Sequence, residues 1–344
     1  MTSSIPQPVL KQHLDFLKNK SIFITGGTGF FGQAFLDLIS THGKDLSCKL
    51  HLLSRDPDLF LQKNPRYKHI PQLSFQKDDV TQFSFTEKTV DYIFHWATPA
   101  DAQFNKEHPL LMAETITQGM KRVLDYAVYS KAKKVLFTSS GAVYGAQPET
   151  ISHLPETYLG APLTNSTQSA YGEAKRYAEF MGCTYAEKFN FDFKIARCFA
   201  FAGKNLQHGR GFAFADFIDQ ARHHQDIHIQ SDGSAIRSYL DTEDLMIWLL
   251  ALLEKGKNSE PYNIGSDSEI SIRQLAELIA KKTTPPVQVF LEKKSNPQQT
   301  GSSSVPRTGQ RYVPSVEKAK TELDVKIWTD LETAIKKALA SSSI

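Results

Sequence analysis

Tyr171 and Lys175, in the stretch Ser169-Ala-Tyr171-Gly-Glu-Ala-Lys175, have the types and the spacing to do chemistry together. Side chains four residues apart on a helix project from one face, so the ammonium can lower the pKa of the phenol. A phenol tuned in this way can exchange a proton with a hydroxyl while hydride moves at the same carbon. By itself the pair also fits a solvated helix face. A second stretch, Phe137-Thr-Ser-Ser140-Gly-Ala-Val-Tyr144-Gly145, places small hydroxyl residues at the end of a strand. There Ser140 could hydrogen-bond the same hydroxyl that Tyr171 serves.

The hydride would have to come from a bound group, and Ser21 to Gly32 reads as its cradle. Ser-Ile-Phe-Ile-Thr-Gly-Gly-Thr-Gly-Phe-Phe-Gly is an apolar, β-branched run that breaks into glycines and resumes with helical spacing at Phe31, Phe35, Leu38 and Ile39. Strand, tight turn and helix follow from that pattern. Gly27, Gly29 and Gly32 satisfy the dinucleotide fingerprint; Gly26, Gly29 and Gly32 satisfy a variant with two residues between successive glycines. Side chains at these positions would keep backbone N–H groups away from a pyrophosphate at the helix N-terminus. Dinucleotide binding is the expectation.

The elements that must position these residues alternate along the chain. The helix after the turn should end near Gly43, and strands are predicted at Leu50 to Ser54, Leu73 to Phe75, Val90 to His95, Lys134 to Ser139 and Asp192 to Arg197. Helical patterns run from Pro109 to Ser130, Tyr171 to Phe189 and Phe212 to His223, and Pro8 to Lys20 reads as a short amphipathic lid on the first strand. Such alternation implies an α/β fold with a doubly wound, mostly parallel sheet, whose ligands lie beyond the carboxyl ends of the strands. The polar stretch Lys293 to Ser304, just before Pro306-Arg307, is expected to be a mobile loop.

Composition narrows the function classes. With 344 residues, 40% hydrophobic and 22% charged, the chain can bury a large core, and it reads as a soluble globular protein of two joined lobes. A formal charge of +3, not gathered into a stripe, argues against nucleic acid. Cys48, Cys183 and Cys198 are odd in number and far apart, which argues against a disulfide framework or a metal site and for a reducing cytoplasm. No apolar run reaches the length of a membrane span, and the first residues do not have the pattern of a signal peptide.

Taken together the three stretches resemble the extended short-chain dehydrogenase/reductases, a group of nucleotide-sugar epimerases, dehydratases and reductases. The resemblance runs from about Ser21 to Leu323. It includes Lys77-Asp-Asp79-Val80, similar to an adenine-contacting strand end, and His95-Trp-Ala97-Thr98, similar to a cofactor-lining motif. It also includes Arg197-Cys-Phe199-Ala-Phe-Ala-Gly203, Ile236-Arg237-Ser-Tyr-Leu-Asp, and Tyr262-Asn263-Ile-Gly265. The resemblance implies a Rossmann-type sheet over residues 1–199, with 235–262 returning to it, and a smaller α/β substrate-binding lobe from 200–234 and 263–344. Ser140, Tyr171 and Lys175 become the catalytic set. Gly26, Gly29, Phe30, Phe31, Gly32, Ser54, Arg55, Asp79, Val80, Ala97, Thr98, Tyr171, Lys175 and Phe199 become the cofactor-binding set. Arg237 and Arg307 become candidates for the diphosphate of a nucleotide-sugar substrate that Ser140 also touches, a role suited to a guanidinium fork. His95 reads as a packed structural histidine. The two long helices imply a homodimer through a four-helix bundle, although burial against the sheet alone would look similar.

The pattern also departs from the family. Dehydratases and decarboxylases of this group place an acid directly after the catalytic hydroxyl residue, where this chain has Gly141 and Ala142. The resemblance therefore points to a 4-epimerase or 4-ketoreductase acting at C4 of the sugar, ahead of a 4,6-dehydratase, a decarboxylase or a non-catalytic dinucleotide sensor. Ala200 and Ile116 fall where asparagines are common, which weakens any transfer of a particular sugar specificity. At the end of the second strand, Ser54-Arg55 replaces the acid of NAD-specific members, so NADP(H) is expected, with NAD(H) kept open by Asp56.

Overall fold

The computed structural model describes residues 3–43, 45–86, 88–99, 101–206, 208–209, 211–292 and 310–340. Helix α1 (Gln7–Asp15) precedes β1 (Ser21–Thr25), α2 (Phe30–His42), β2 (Lys49–Ser54), α3 (Pro57–Lys63) and β3 (Leu73–Lys77). Next come β4 (Tyr92–His95), α4 (Ala102–Glu107), α5 (Pro109–Ser130), β5 (Lys134–Ser140), α6 (Ala170–Phe189) and β6 (Asp192–Cys198). The remainder comprises β7 (Ala200–Ala202), α7 (Ala213–Arg222), β8 (Ile227–Ile229), β9 (Ile236–Asp241), α8 (Thr242–Lys255), β10 (Pro261–Ile264), β11 (Glu269–Ser271), α9 (Ile272–Lys281) and β12 (Val289–Leu291). Three elements follow residue 310: β13 (Arg311–Tyr312), α10 (Glu317–Leu323) and α11 (Leu331–Ala340).

Seven strands form one parallel sheet in the order β3-β2-β1-β4-β5-β6-β10. Strand order reverses between β1 and β4, which opens a crevice beyond Thr25 and His95 where a doubly wound sheet binds its ligand. β1 can occupy the centre because Ile22, Phe23, Ile24 and Thr25 are all buried, as a strand covered on both faces requires. On one face α1, α2, α8 and α10 close a core around Leu14, Phe35, Trp248 and Leu323. On the other, α5 and α6 pack Met120, Leu124, Ala174 and Ala178 over Phe23, Val135 and Phe193.

The seventh strand, β10, pairs with β6 in the register Tyr262↔Ala196 and Asn263↔Arg197. It follows α8, whose C-terminal carbonyls are capped by lysines from the neighbouring strands. Lys134 Nζ donates to the Leu253 and Glu254 carbonyls, both at 3.0 Å, and the buried Lys194 Nζ donates to the Gly256 carbonyl at 2.6 Å. Ammonium groups at a helix C-terminus oppose its negative dipole end, which fixes α8 under the sheet.

A second lobe is built from β9, with β11 antiparallel on one side and β13 and β7 parallel to it, and from the pair β8 and β12. Its core packs Phe217, Ile218, Leu275, Ile279 and Ile335 from α7, α9 and α11. Arg237 on β9 and Tyr312 on β13 are register partners, so this lobe brings both toward the crevice from one side.

Candidate active site

The glycine turn between β1 and α2 is shaped by contacts that only glycine allows. Gly26 has φ +70°, and a Cβ there would lie 2.5 Å from the Ala97 nitrogen, so the turn is clamped against the exit of β4. A Cβ on Gly32 would sit on the Gly27 backbone. Gly29 caps α2 with no side-chain hydrogen bond to its first N–H groups, which leaves the donors a pyrophosphate needs. Phe30 and Phe31 begin the helix and pack against Phe201, with centroids at 5.9 and 5.8 Å. These features fit a dinucleotide.

Around the turn, Ser54 at the end of β2 donates to Thr28 Oγ1 at 3.5 Å. Arg55 is exposed beside it. Asp56 Oδ1 accepts from the Leu59 N–H at 3.1 Å and caps α3. Asp79 Oδ1 accepts from the Thr81 N–H and hydroxyl at 2.9 and 2.6 Å, and Val80 packs against Gly119 of α5. The Ala97 N–H donates to Thr25 Oγ1 at 3.3 Å. Thr25 also holds the buried His95 by an Oγ1–Nδ1 bond of 2.8 Å. Burial pushes His95 down to about 3, and its ring stacks on Phe137.

Tyr171 and Lys175 share one face in the first turns of α6. The Tyr171 N–H is held by Asn105 Oδ1 of α4 at 3.1 Å. Lys175 is 1% exposed, and its Nζ donates to Thr98 Oγ1 and to the Thr138 carbonyl, both at 2.7 Å. Ser140 ends β5 with its Oγ accepting the Ala142 N–H at 3.1 Å.

The electrostatics differ from the sequence expectation of a lysine lowering the tyrosine. Burial pushes the Tyr171 phenol up to about 12, with Ser140 pulling the other way, and pushes the Lys175 ammonium down to about 7. The physical reason is that removing each group from water is the largest effect on it, and the ammonium is turned to Thr98 and Thr138.

Sequence reasoning missed two parts of the site. One turn beyond Lys175, the buried Glu179 accepts Ser139 Oγ at 2.5 Å, Arg197 Nε at 3.0 Å and Arg197 Nη2 at 2.7 Å, while Arg197 lies 4.7 Å over the Tyr144 ring. The Tyr144 hydroxyl donates to Asn263 Oδ1 at 2.8 Å, which ties the turn after β5 to β10. The second part is Tyr312, whose hydroxyl lies 3.5 Å from Ser140 Oγ and 3.3 Å from the Cys198 carbonyl. Its ring packs on Phe199 at 4.5 Å. The Tyr171-to-Glu179 spacing of eight could have flagged the carboxylate; nothing local marked Tyr312.

Arg237 is half-buried, with Nη1 donating to its neighbour Ile236 O at 2.8 Å and to Gln310 O at 3.5 Å. Burial lowers its pKa, and among the described residues no carboxylate pairs with it. Arg307 and the stretch Lys293 to Ser304 lie outside the described residues. Among the described residues no carboxylate hydrogen-bonds to Ser140, Tyr171 or Lys175, no group of three acids, histidines or cysteines could hold a metal ion, and no helix is long and apolar enough to cross a membrane.

Residues 22–265 match the model of the NAD dependent epimerase/dehydratase family. The chain is 28% identical over 330 residues to UDP-glucuronic acid decarboxylase 6 of Arabidopsis thaliana, covering 94% of this chain and 89% of that protein. Among solved structures it resembles UDP-glucose 4-epimerase of Thermotoga maritima with UDP-glucose, at TM-score 0.76 and 23% identity over 93% of this chain and 97% of that one. It also resembles a UDP-glucuronic acid 4-epimerase mutant of Bacillus cereus in complex with NAD and a fluorinated UDP-sugar, at TM-score 0.74 and 20% identity over 93% and 98%. The glycine turn, the parallel sheet and the matched span lead to one conclusion: the chain belongs to the NAD dependent epimerase/dehydratase family and is an enzyme of the extended short-chain dehydrogenase/reductase type.

Proposed function

We propose that this enzyme acts at C4 of a nucleotide-linked sugar, as a 4-epimerase or a 4-ketoreductase. The observation that carries the reading is the hydroxyl pair Ser140 and Tyr171 beside a buried lysine, with no carboxylate bonded to any of the three among the described residues. A bound nicotinamide dinucleotide supplies the hydride acceptor and donor. Phe30 and Phe31 at the start of α2 would hold its pyrophosphate by backbone N–H groups, and Lys175 would hold a ribose hydroxyl. With its phenol pushed up to about 12, Tyr171 keeps a proton at neutral pH. That proton goes to O4 as hydride arrives at C4, the half-reaction that a reductase performs alone and an epimerase performs second. Ser140 donates to the same oxygen. Arg237, a half-buried guanidinium without a carboxylate partner among the described residues, would take the substrate diphosphate, together with Arg307.

NADP(H) is the proposed cofactor. Asp56 turns one carboxylate oxygen to the cap of α3, and Arg55 is exposed beside Ser54 and suited to a 2′-phosphate. Leu110 and Leu111 on α5 and Tyr177 and Phe180 on α6 are exposed apolar residues. They support a homodimer through these helices, and three free cysteines support a reducing cytoplasm.

A second reading, decarboxylation of UDP-glucuronic acid, is favoured by the relatives named as decarboxylases. Against it stand Gly141 and Ala142, which have no side-chain acid or base, and lost acid–base help costs about 10²–10⁴-fold per group. A dinucleotide sensor would not need the Tyr171 proton donor. The test is to incubate the protein with UDP-glucose, UDP-glucuronic acid, UDP-N-acetylglucosamine and dTDP-glucose, each with NAD⁺ or NADP⁺, and follow products by mass and chromatography. The 4-epimer or 4-keto sugar supports the reading. Multiple turnovers to UDP-xylose or to a 4-keto-6-deoxy sugar would replace it.

A further inference from the structure

We propose that Asn105 is a positioning residue for Tyr171: its side-chain amide caps α6 at the residue that carries the phenol and so holds that phenol at the oxygen it serves. The inference deepens the C4 reading above and rests on it. The first N–H groups of a helix have no partner within the helix, and the side chain of the residue just before it commonly supplies one. In α6 that residue is Ser169, whose side chain makes no such bond. The partner comes instead from 66 residues upstream, where Asn105 Oδ1 accepts the Tyr171 N–H at 3.1 Å. Asn105 Nδ2 donates to the Gln168 carbonyl at 3.1 Å, in the turn that leads into the helix. The amide carries one acceptor and one donor group, and each has a backbone partner, one on either side of the junction between turn and helix.

Asn105 is itself held. Asp101 Oδ1 caps α4 by accepting the Phe104 N–H at 2.9 Å, and the Phe104 ring packs on the same core as Tyr171. Earlier in the same connection, Thr98 Oγ1 accepts from Lys175 Nζ at 2.7 Å. The chain leaving β4 therefore grips α6 at two points one turn apart, and the two grips are independent. Lys175 is held through its ammonium by Thr98 and the Thr138 carbonyl, whereas Tyr171 is held through its backbone by Asn105. Losing the amide frees the first turn of α6, where Tyr171 sits, and leaves Lys175 in place. A phenol displaced slightly from O4 lowers turnover without weakening the binding of substrate or cofactor.

Asn105→Leu keeps the size of the side chain and removes both polar groups. Asn105→Asp keeps an acceptor for the Tyr171 N–H and adds a negative charge, which a helix N-terminus favours. Kinetics are measured on whichever of the four sugar nucleotides named above the wild type turns over, with the oxidised cofactor it uses. We expect Asn105→Leu to lower kcat about tenfold, with KM and cofactor affinity within about twofold of wild type. Asn105→Asp should keep kcat within about threefold of wild type, because the acceptor is what the tyrosine needs. Hydrogen exchange of the cofactor-bound protein should show the first-turn amides of α6 exchanging about five- to tenfold faster in Asn105→Leu and near the wild-type rate in Asn105→Asp. Wild-type kcat in Asn105→Leu, an equal loss in both variants, a loss carried by KM or by cofactor affinity, or unchanged exchange overturns the inference. Full turnover by Tyr171→Phe, or no turnover of any of the four sugar nucleotides by the wild type, overturns the C4 reading and the inference with it. Loss in Tyr171→Phe beside wild-type kcat in Asn105→Leu overturns the inference alone.

Discussion

Replacing Lys175 by methionine should make the protein more stable at mildly alkaline pH while abolishing activity. The wild-type ammonium is 1% exposed and is pushed down to about 7 from an ordinary lysine value of 10.5, with burial the largest cause. Between those two values the unfolded chain binds a proton that the folded protein does not, so stability rises with pH, by about 1.4 kcal/mol per pH unit. At about pH 7.5 the buried lysine therefore costs on the order of 4 kcal/mol, and at about pH 9 on the order of 2 kcal/mol. Methionine removes that cost but strips the Thr138 carbonyl and Thr98 Oγ1 of their donor, which costs about 2 kcal/mol in return. Lys175→Met should be more stable by about 2 kcal/mol near pH 7.5 and about equal near pH 9. Urea unfolding of cofactor-free wild type and variant, followed by tryptophan fluorescence at both pH values, reads the difference. A wild-type-minus-variant gap that does not change with pH would refute burial as the force acting on this lysine.

Tyr171→Phe should retain the fold and cofactor affinity and lose about 10²–10⁴ of turnover, since it deletes the proton donor and keeps the ring; activity within tenfold of wild type would count against the assignment. Arg55→Ala should weaken NADP(H) more than NAD(H), the 2′-phosphate losing a charge-assisted partner worth about 1.5–3 kcal/mol. Equal weakening of both in a binding titration, or a wild type that strongly prefers NAD(H), would contradict it. Glu179→Gln should destabilise the protein by about 3 kcal/mol, because it leaves the partly buried Arg197 guanidinium without its carboxylate. Arg197→Met in the Glu179→Gln background should recover part of that loss, and a denaturation midpoint unmoved by the single change would show that the pair does not hold α6 to β6.

What the sequence determined was local. Strand, turn and helix around Gly26 to Gly32 were legible because period, glycine placement and helix start all lie within one short window. Tyr171 and Lys175 were legible for the same reason, since one helix face fixes their relation whatever surrounds it. Helix α5 runs from Pro109 to Ser130 as its apolar spacing requires. Only the tertiary structure decided the rest, because it depends on residues far apart in the chain. Tyr312 meets Ser140 from 172 residues away, and a two-residue strand on a small sheet leaves no periodic trace. The Glu179 and Arg197 pair forms because α6 lies on β6, and β10 completes the large sheet only after α8 has crossed beneath it. The directions of the Tyr171 and Lys175 shifts also belong to the tertiary structure. Spacing sets which groups are neighbours, but the loss of water around both is the larger free energy, and burial is a property of the whole fold.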